Sequence, residues 1–184
     1  MVDGIVLAAG FSSRAKTNKM TLEYKGKPLI THVIETISLV CDRVIVVTGH
    51  YRDEIELLIK NRSDVVLVHN DNYAQGMFTS IQKGVYATEN DFFIVPGDYP
   101  LIKPNTYQSL MAAKGKIRVP SFDNRLGHPI FFDKHYKDQI LNTSCTNLKA
   151  FRNEHPFTII EVDDPGILID IDNMEDYNTL IGKD

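Results

Sequence analysis

Short apolar runs alternate with amphipathic segments in the first hundred residues, and this alternation limits the fold more than any other feature. The apolar runs have the length and β-branched content of buried strands, and they cover residues 4–9, 43–48, 65–69 and 92–95. Apolar residues at helical spacing follow the first three runs, in residues 29–40, 53–61 and 77–85. A β-α-β-α-β-α-β order predicts a parallel sheet with helices on both faces, which is a three-layer α/β/α sandwich.

After residue 115 the pattern changes to short strand-like pieces that two modest helices separate. These pieces are residues 117–119, 129–132, 158–162 and 168–169. They predict that the mostly parallel sheet has a mixed C-terminal part, and a final amphipathic helix follows from Met174 to Ile181. No linker rich in proline, serine or glycine divides the chain, so we expect one domain over residues 1–184.

Composition excludes several classes of partner. The 20 basic and 24 acidic residues give a net charge of −4, whereas nucleic-acid-binding proteins normally carry a basic excess. The two cysteines, Cys41 and Cys145, lie far apart and predict neither a disulfide framework nor a cysteine zinc site. No apolar run approaches the roughly 20 residues of a membrane helix, and the start of the chain lacks a basic leader. We therefore expect a cytoplasmic protein without nucleic-acid or membrane partners, and the oligomeric state is left open.

The polar loops of the first half all follow predicted strands. They comprise residues 10–19, 49, 70–80 and 97–100. Open parallel sheets bind their ligands beyond the carboxyl ends of the strands. We therefore expect these loops to meet at one edge of the sheet.

The first of these loops has the composition of a phosphate-binding segment. Small residues at positions 8–10 allow close approach of a ligand to the backbone, whose N–H groups can bind phosphate oxygens. Arg14 and Lys19 add positive charge, and an arginine can bind phosphate through two parallel hydrogen bonds. The same residues also suit an ordinary strand-to-helix turn with two solvated cations. The chain lacks both GxxxxGK[ST] and GxGxxG, which argues against a P-loop and against a dinucleotide oxidoreductase.

Carboxylates follow two of the apolar segments. Asp98 lies just after the run at 92–95 and could hold Mg²⁺, which takes one or two protein carboxylates besides phosphate oxygens and waters. Asp170 and Asp172 follow residues 167–169, and in an extended strand they point to the same face. Two like charges on one face favour a bound cation or solvent between them. The alternatives are a turn aspartate for Asp98 and a solvated acidic strand end for the pair.

Five segments, taken together, resemble the small nucleotidyltransferases of the molybdenum-cofactor family, the cytidylyltransferases more than the guanylyltransferases. The family opening LAAGxSxRMGxxK is matched at Leu7 to Gly10, Ser12, Arg14 and Lys19, and the family GDxP at Gly97 to Pro100. The remaining matches are Gly76, Met77, Ser80 and Gly84, with Asn70 and Tyr73 before them; Gly127 to Phe131; and Asp170 to Tyr177. The resemblance spans residues 4–177 and implies a Rossmann-like nucleotidyltransferase domain.

The resemblance implies transfer of CMP from CTP to a phosphate-bearing acceptor, with release of pyrophosphate. Asp98 and Asp172, with Asp170 as a supporting or alternative ligand, are the expected Mg²⁺ ligands. Lys19 and Arg14 are expected to hold the triphosphate and the leaving pyrophosphate. The expected nucleotide-binding residues are Leu7, Ala8, Ala9, Gly10, Arg14, Lys19, Thr48, Gly49, Ser80, Gly97 and His128.

Other choices stay open on the acceptor side. His128 could contact the acceptor or hydrogen-bond a loop carbonyl, and Met77 is expected to anchor its helix. The chain has Ala15-Lys16 and Asn173-Met174 where the family has Met-Gly and Thr-Pro, and residues 144–150 lack the family's GDxGAR-like segment. Molybdopterin and a sugar or polyol phosphate are the candidate acceptors. GTP as donor and a catalytically silent nucleotide-binding module are the remaining alternatives.

Overall fold

The computed structural model describes residues 1–11 and 18–182, and these contain ten strands and seven α-helices. The strands are β1 (Val2–Ala8), β2 (Glu23–Tyr24), β3 (Lys27–Pro28), β4 (Arg43–Thr48), β5 (Val65–His69), β6 (Asp91–Pro96), β7 (Ile117–Phe122), β8 (Arg125–Leu126), β9 (Ile130–Phe132) and β10 (Thr158–Glu161). The helices are α1 (Leu29–Ser38), α2 (Arg52–Ile59), α3 (Met77–Tyr86), α4 (Pro104–Ala112), α5 (Lys137–Asn142), α6 (Leu148–Asn153) and α7 (Met174–Ile181). The predicted order of the first half is confirmed, and α4 is an additional helix that the apolar spacing did not indicate.

One sheet contains most of the strands, in the order β10-β7-β9-β6-β1-β4-β5, and β8 pairs with β7. The pairs of β1 with β4, β1 with β6, β4 with β5, and β10 with β7 are parallel. Strand β9 runs antiparallel to both β6 and β7. The mostly parallel sheet with a mixed C-terminal part is therefore confirmed. The short strands β2 and β3 form a separate hairpin.

The alternation of side chains along β1 divides the core into two layers. Val6 and Ala8 pack on one face of the sheet, in the core that α1, α2 and α4 cover. Ile5 and Leu7 pack on the other face, beneath α3, α5 and α6. Successive residues of a strand point to opposite faces, so one apolar strand supplies both layers. The predicted three-layer sandwich is confirmed.

Residues 168–169 do not form the predicted strand. A short 3₁₀ helix spans Pro165–Leu168, because the Asp164 carboxylate accepts a hydrogen bond from the Gly166 backbone N–H at 3.0 Å. Beyond it the Ile171 N–H donates to the Asp98 carbonyl at 3.0 Å, without forming a sheet strand. Asp170 and Asp172 therefore flank the buried Ile171 and do not lie on one face of a strand.

The longest helices in the described ranges, α1 and α3, have 10 residues each. A membrane-spanning helix needs about 20 apolar residues. None of the helices between residues 1 and 11 or between 18 and 182 is long and apolar enough to cross a bilayer.

Asp3 is a fully buried carboxylate that joins three parts of the sheet. Its Oδ2 accepts hydrogen bonds from Arg43 Nη2 at 3.1 Å and from the Glu89 backbone N–H at 2.8 Å. Burial opposes the negative charge, but the bonds from Arg43 and from the backbone of Glu89 and Asn90 outweigh it. The pKa of Asp3 therefore lies below its ordinary value of 3.8.

The Asp3→Asn variant should lower the free energy of unfolding by about 2–3 kcal/mol near neutral pH, because it removes a charge-assisted buried network. A lowered carboxylate pKa stabilises the fold above the unfolded pKa, and this contribution is lost as pH falls through the folded value. The difference between parent and variant should thus shrink only below about pH 3.8. Urea unfolding across pH measures it, with the exposed Asp163→Asn as control. A difference that persists undiminished in strong acid contradicts the prediction.

Candidate active site

Lys19 meets two acidic side chains from distant parts of the chain. Its Nζ lies 2.6 Å from Oδ2 of Asp98 and 3.0 Å from Oδ1 of Asp172. The Lys19 and Asp98 side chains are only 11% and 13% exposed. Burial opposes the ammonium charge, but the two carboxylates outweigh it and hold the pKa of Lys19 above its ordinary value. The structure thus brings three predicted site residues together, while their roles in binding and catalysis stay predictions.

Asn18 and Met20 fix Lys19 in this position. The Asn18 side chain accepts a hydrogen bond from the Met20 N–H at 3.2 Å and donates one to Glu54 at 2.9 Å. Met20 itself is buried in the core under α1 and α2. Lys19 therefore starts a 3₁₀ turn that is held on both sides, and this limits the directions in which its side chain can point.

Asp98 is positioned by the close packing of β6 beside β1. The Gly97 N–H donates to the Leu7 carbonyl at 2.9 Å, which extends the pairing of the two strands by one residue. A Cβ atom on Gly97 would lie 3.0 Å from Met20 Sδ and 3.1 Å from the Leu7 oxygen, so only glycine fits without displacement. Burial raises the pKa of Asp98, and the charge of Lys19 acts in the opposite direction.

One oxygen of Asp98 is available for a cation. Oδ2 faces Lys19, whereas Oδ1 is buried and has no hydrogen-bond partner among the described residues. An unsatisfied buried carboxylate oxygen is costly unless a donor or a metal ion reaches it. This observation fits Asp98 as a divalent-metal ligand, with Asp172 as its neighbour across Lys19.

A cavity of about 370 Å³ lies against this cluster at the carboxyl edge of the sheet. The predicted site residues that line it are Leu7, Ala9, Gly10, Lys19, Ser80, Asp98 and Asp172. Ser80 is buried, and its hydroxyl accepts a hydrogen bond from Asn70 Nδ2 at 2.9 Å. The lining residues lie at or after the ends of several strands, and they converge at one edge of the sheet as expected.

Four predicted residues line neither this cavity nor the second one described below. The Ala8 side chain packs in the core on the other face of the sheet, and Gly97 is enclosed beside Met20. Thr48 is fully buried, and its hydroxyl reaches the Val68 carbonyl at 3.5 Å. Gly49 lies so close to Ala9 that a Cβ atom on it would be 2.5 Å from the Ala9 carbonyl oxygen. Of these four, we expect at most backbone contacts with a nucleotide. Arg14 lies in residues 12–17, outside the described part of the chain.

A second cavity, of about 890 Å³, adjoins the first and shares Leu7, Met77 and Pro96 with it. His128 and Asp170 line this second cavity. The predicted acidic pair is therefore divided, with Asp172 at the first cavity and Asp170 at the second. Two adjoining cavities beside one ion cluster can place two substrates next to each other.

Sequence reasoning missed several cavity-lining residues, among them two aromatic side chains and a methionine. Phe11 and Tyr73 line the first cavity, with ring centroids 5.2 Å apart. Met77 is 63% exposed and lines both cavities, so it does not anchor its helix as expected. Met77 shares the helical spacing of Ile81 and Val85, so only its place at the first residue of α3, directly after Gly76, was an available signal.

Solved structures with this fold include two that match nearly the whole chain. A nucleotidyl transferase from the genus Methanothermobacter is 24% identical with a TM-score of 0.85, and the match covers 100% of this chain and 97% of that chain. A manganese complex of Rv0371c from Mycobacterium tuberculosis H37Rv is 20% identical with a TM-score of 0.78, and covers 100% and 99%. These likenesses establish the Rossmann-like nucleotidyltransferase fold.

The fold and the family to which the sequence belongs together define an enzyme of the nucleotidyltransferase class. Residues 4–157 match the model of the MobA-like NTP transferase domain, and the chain belongs to this family. A curated relative, the molybdenum cofactor cytidylyltransferase of Escherichia coli K12, is 29% identical over 181 residues. That alignment covers 97% of this chain and 94% of the relative.

The imidazole of His128 should make the fold sensitive to acid. Burial, assisted by the charge of Arg152, lowers the pKa of His128 from 6.5 to about 4. Between these values the unfolded chain binds a proton that the folded chain does not, so stability falls as pH decreases from 6.5 towards 4.

Urea unfolding of the parent and of His128→Gln measures this effect. The variant should lose a smaller part of its stability over that pH interval, by on the order of a few kcal/mol at most. Identical pH slopes for the two proteins would show that His128 does not titrate in this way.

Proposed function

We propose that the protein transfers CMP from CTP to a phosphate-bearing acceptor, molybdopterin or its molybdenum-bound form, and releases pyrophosphate. The observation that carries this proposal is the cluster of Lys19, Asp98 and Asp172 at the edge of the first cavity. The whole chain, residues 1–184, would act as one catalytic domain. The expected cytoplasmic location and the expected lack of a nucleic-acid partner rest on composition alone.

The first cavity is the proposed donor site. Leu7, Ala9 and Gly10 form an uncharged wall against which a base and ribose can lie, and Ser80, which Asn70 holds, offers a polar contact. The spelling Leu-Ala-Ala-Gly resembles that of the cytidine-using enzymes, and the curated relative is named as a cytidylyltransferase. Both features favour CTP over GTP.

Asp98 and Asp172 are the residues that would hold a divalent cation. The free Oδ1 of Asp98 supports this assignment, and Asp170 stays a supporting or alternative ligand. A solved structure with this fold is a manganese complex, which supports binding of a divalent ion at such a site. For this chain we propose Mg²⁺. A bound Mg²⁺ supplies neutralisation of the phosphate charge.

The protein's own groups would act mainly by positioning and by charge. Lys19 and Arg14 would hold the triphosphate and stabilise the negative charge that develops on pyrophosphate. An oxygen of the acceptor phosphate forms a bond to the α-phosphorus while the bond from that phosphorus to pyrophosphate breaks. The acceptor phosphate is already ionised at neutral pH, so no general base is needed.

The second cavity is the proposed acceptor site, because it adjoins the first at Leu7, Met77 and Pro96. Thr146 and Lys149, from the segment that departs from the family pattern, line it. The altered segment therefore touches the proposed acceptor and not the donor, which keeps a sugar or polyol phosphate as the alternative acceptor.

Pyrophosphate release should require CTP, Mg²⁺ and an acceptor together. An assay with CTP, GTP, UTP and ATP against molybdopterin and a set of sugar and polyol phosphates tests this directly. CTP is expected to give the highest kcat/KM. Turnover with GTP alone contradicts the assigned donor, and nucleotide binding without any turnover supports a catalytically silent module.

Asp98→Asn should bind CTP but lower kcat by about 10²–10³-fold, the loss typical of a missing charge contact in the transition state. The exposed Asp163→Asn carries the same chemical change outside both cavities and should keep full activity. Circular dichroism confirms folding of both variants, and calorimetry measures CTP binding. Full activity of folded Asp98→Asn contradicts the metal assignment.

A further inference from the structure

Arg152 is a buried cation without an acidic partner in the described chain. It is 8% exposed, and no carboxylate lies within ion-pair distance of it between residues 1 and 11 or 18 and 182. Its Nε and Nη2 donate to the Asn153 side-chain oxygen at 3.2 and 2.9 Å, and its Cζ lies 4.9 Å from the centre of the Phe157 ring. These contacts hold the side chain but do not neutralise its charge, and they leave other guanidinium N–H groups unused.

The second cavity, which Arg152 lines, carries an excess of positive charge. Its lining includes Arg125, Lys149 and Arg152, against the single acid Asp170. Arg125 and Lys149 are exposed and lie where solvent screens them, whereas Arg152 is withdrawn from solvent. A buried charge acts more strongly on a ligand than an exposed one, because the surrounding dielectric is lower.

His128 adds a second unsatisfied group to the same wall. Its Nδ1 is buried without a hydrogen-bond partner in the described residues. The charge of Arg152 acts on His128 and disfavours the protonated ring, so the imidazole is neutral at physiological pH. The neutral ring therefore adds no second positive charge beside an anion that pairs with Arg152.

Neighbouring side chains link Arg152 to the ion cluster of the active site. Tyr99 follows Asp98, and its ring centroid lies 5.0 Å from that of His128, which in turn is influenced by Arg152. The apolar side chains of Phe78, Ile81 and Ile130 also line this cavity. A ligand that fills this cavity thus meets apolar side chains and the cation at Arg152, and it borders the first cavity, which Asp98 lines.

We propose that the acceptor carries, besides the phosphate that reacts beside Asp98, a second anionic group that pairs with Arg152, so that Arg152 determines acceptor specificity. This inference rests on the proposed transfer to a phosphate-bearing acceptor, and among the candidate acceptors it selects those that carry a second anionic group. A phosphate or a carboxylate supplies the required chemistry, since both match the planar fork of a guanidinium. The size of the cavity, about 890 Å³, lies at the upper end of the range for small-molecule sites and favours an acceptor with a substantial apolar body.

The first test observes the arginine itself. The Nε–H resonance of Arg152, assigned by its loss in Arg152→Met, is followed while inorganic phosphate or acetate is added in separate experiments. A saturable shift with phosphate identifies a phosphate group, and a shift with acetate alone identifies a carboxylate. Arg118 is the reference within the same spectrum, because its guanidinium donates to backbone carbonyls and lies outside both cavities. No shift with either anion overturns the proposal.

The second test uses turnover with the acceptor that the assay above identifies. Arg152→Met should raise the KM of that acceptor by about 10- to 100-fold, the effect of a lost hydrogen bond to a charged group. The KM of CTP should not change, and Arg152→Lys should recover part of the loss. The exposed Lys114→Gln, outside both cavities, is the matched control. An acceptor with a single anionic group, or an equal rise in both KM values, contradicts the proposal.

Two further readouts separate this inference from other failures. Arg152→Met should unfold at the same temperature as the parent or higher, because it removes an uncompensated buried charge. A marked loss of stability would assign Arg152 a structural role and contradict the proposal. Anion binding at Arg152 with no pyrophosphate release from any nucleotide contradicts the proposed function and leaves the anion site established.

Discussion

The ion cluster of Lys19, Asp98 and Asp172 is the contact on which the arrangement of the active site depends. It joins Lys19 to Asp98, which lies 79 positions later in the chain, and to Asp172, which lies 153 positions later. The side chains of Lys19 and Asp98 are largely withdrawn from solvent. A partly buried charge is costly without compensating partners, so each member of the cluster restricts the others. The loop after β1, the loop after β6 and the segment before α7 are thereby held at one edge of the sheet.

The sheet explains why this edge can hold two substrates. Parallel pairing of β1 with β4 and β6 brings the carboxyl ends of these strands together, and Gly97 allows the chain to pass close to Met20. Leu7 near the end of β1 borders both cavities, so under the proposed function a nucleotide in one and an acceptor in the other would lie side by side. Holding two phosphate-bearing reactants in this way removes much of the entropic barrier to their reaction.

Much of the fold and the main site contact could be predicted from the sequence, for identifiable reasons. The strands β4 and β5 are rich in β-branched residues, and their observed bounds are the predicted ones. The approach of Lys19 to Asp98 follows from the rule that parallel strands end at one edge. Helix α4 was missed because its apolar side chains are sparse, with Tyr107 and Leu110 carrying its burial.

Other features depend on tertiary contacts that local sequence does not reveal. Leu168 belongs to a 3₁₀ turn because Asp164 binds the Gly166 N–H, and no apolar pattern announces that bond. Arg152 reads as an ordinary helix-surface cation. Its burial and its lack of a carboxylate in the described chain are visible only once α6 packs against the second cavity.

The most direct test of the central claim is an anomalous-scattering map of crystals grown with Mn²⁺ and a non-hydrolysable CTP analogue. The account predicts a metal peak bonded to carboxylate oxygens of both Asp98 and Asp172, with the triphosphate on the same ion and Lys19 turned to a phosphate oxygen. A peak that contacts neither acid, or a triphosphate bound away from Lys19, would contradict it.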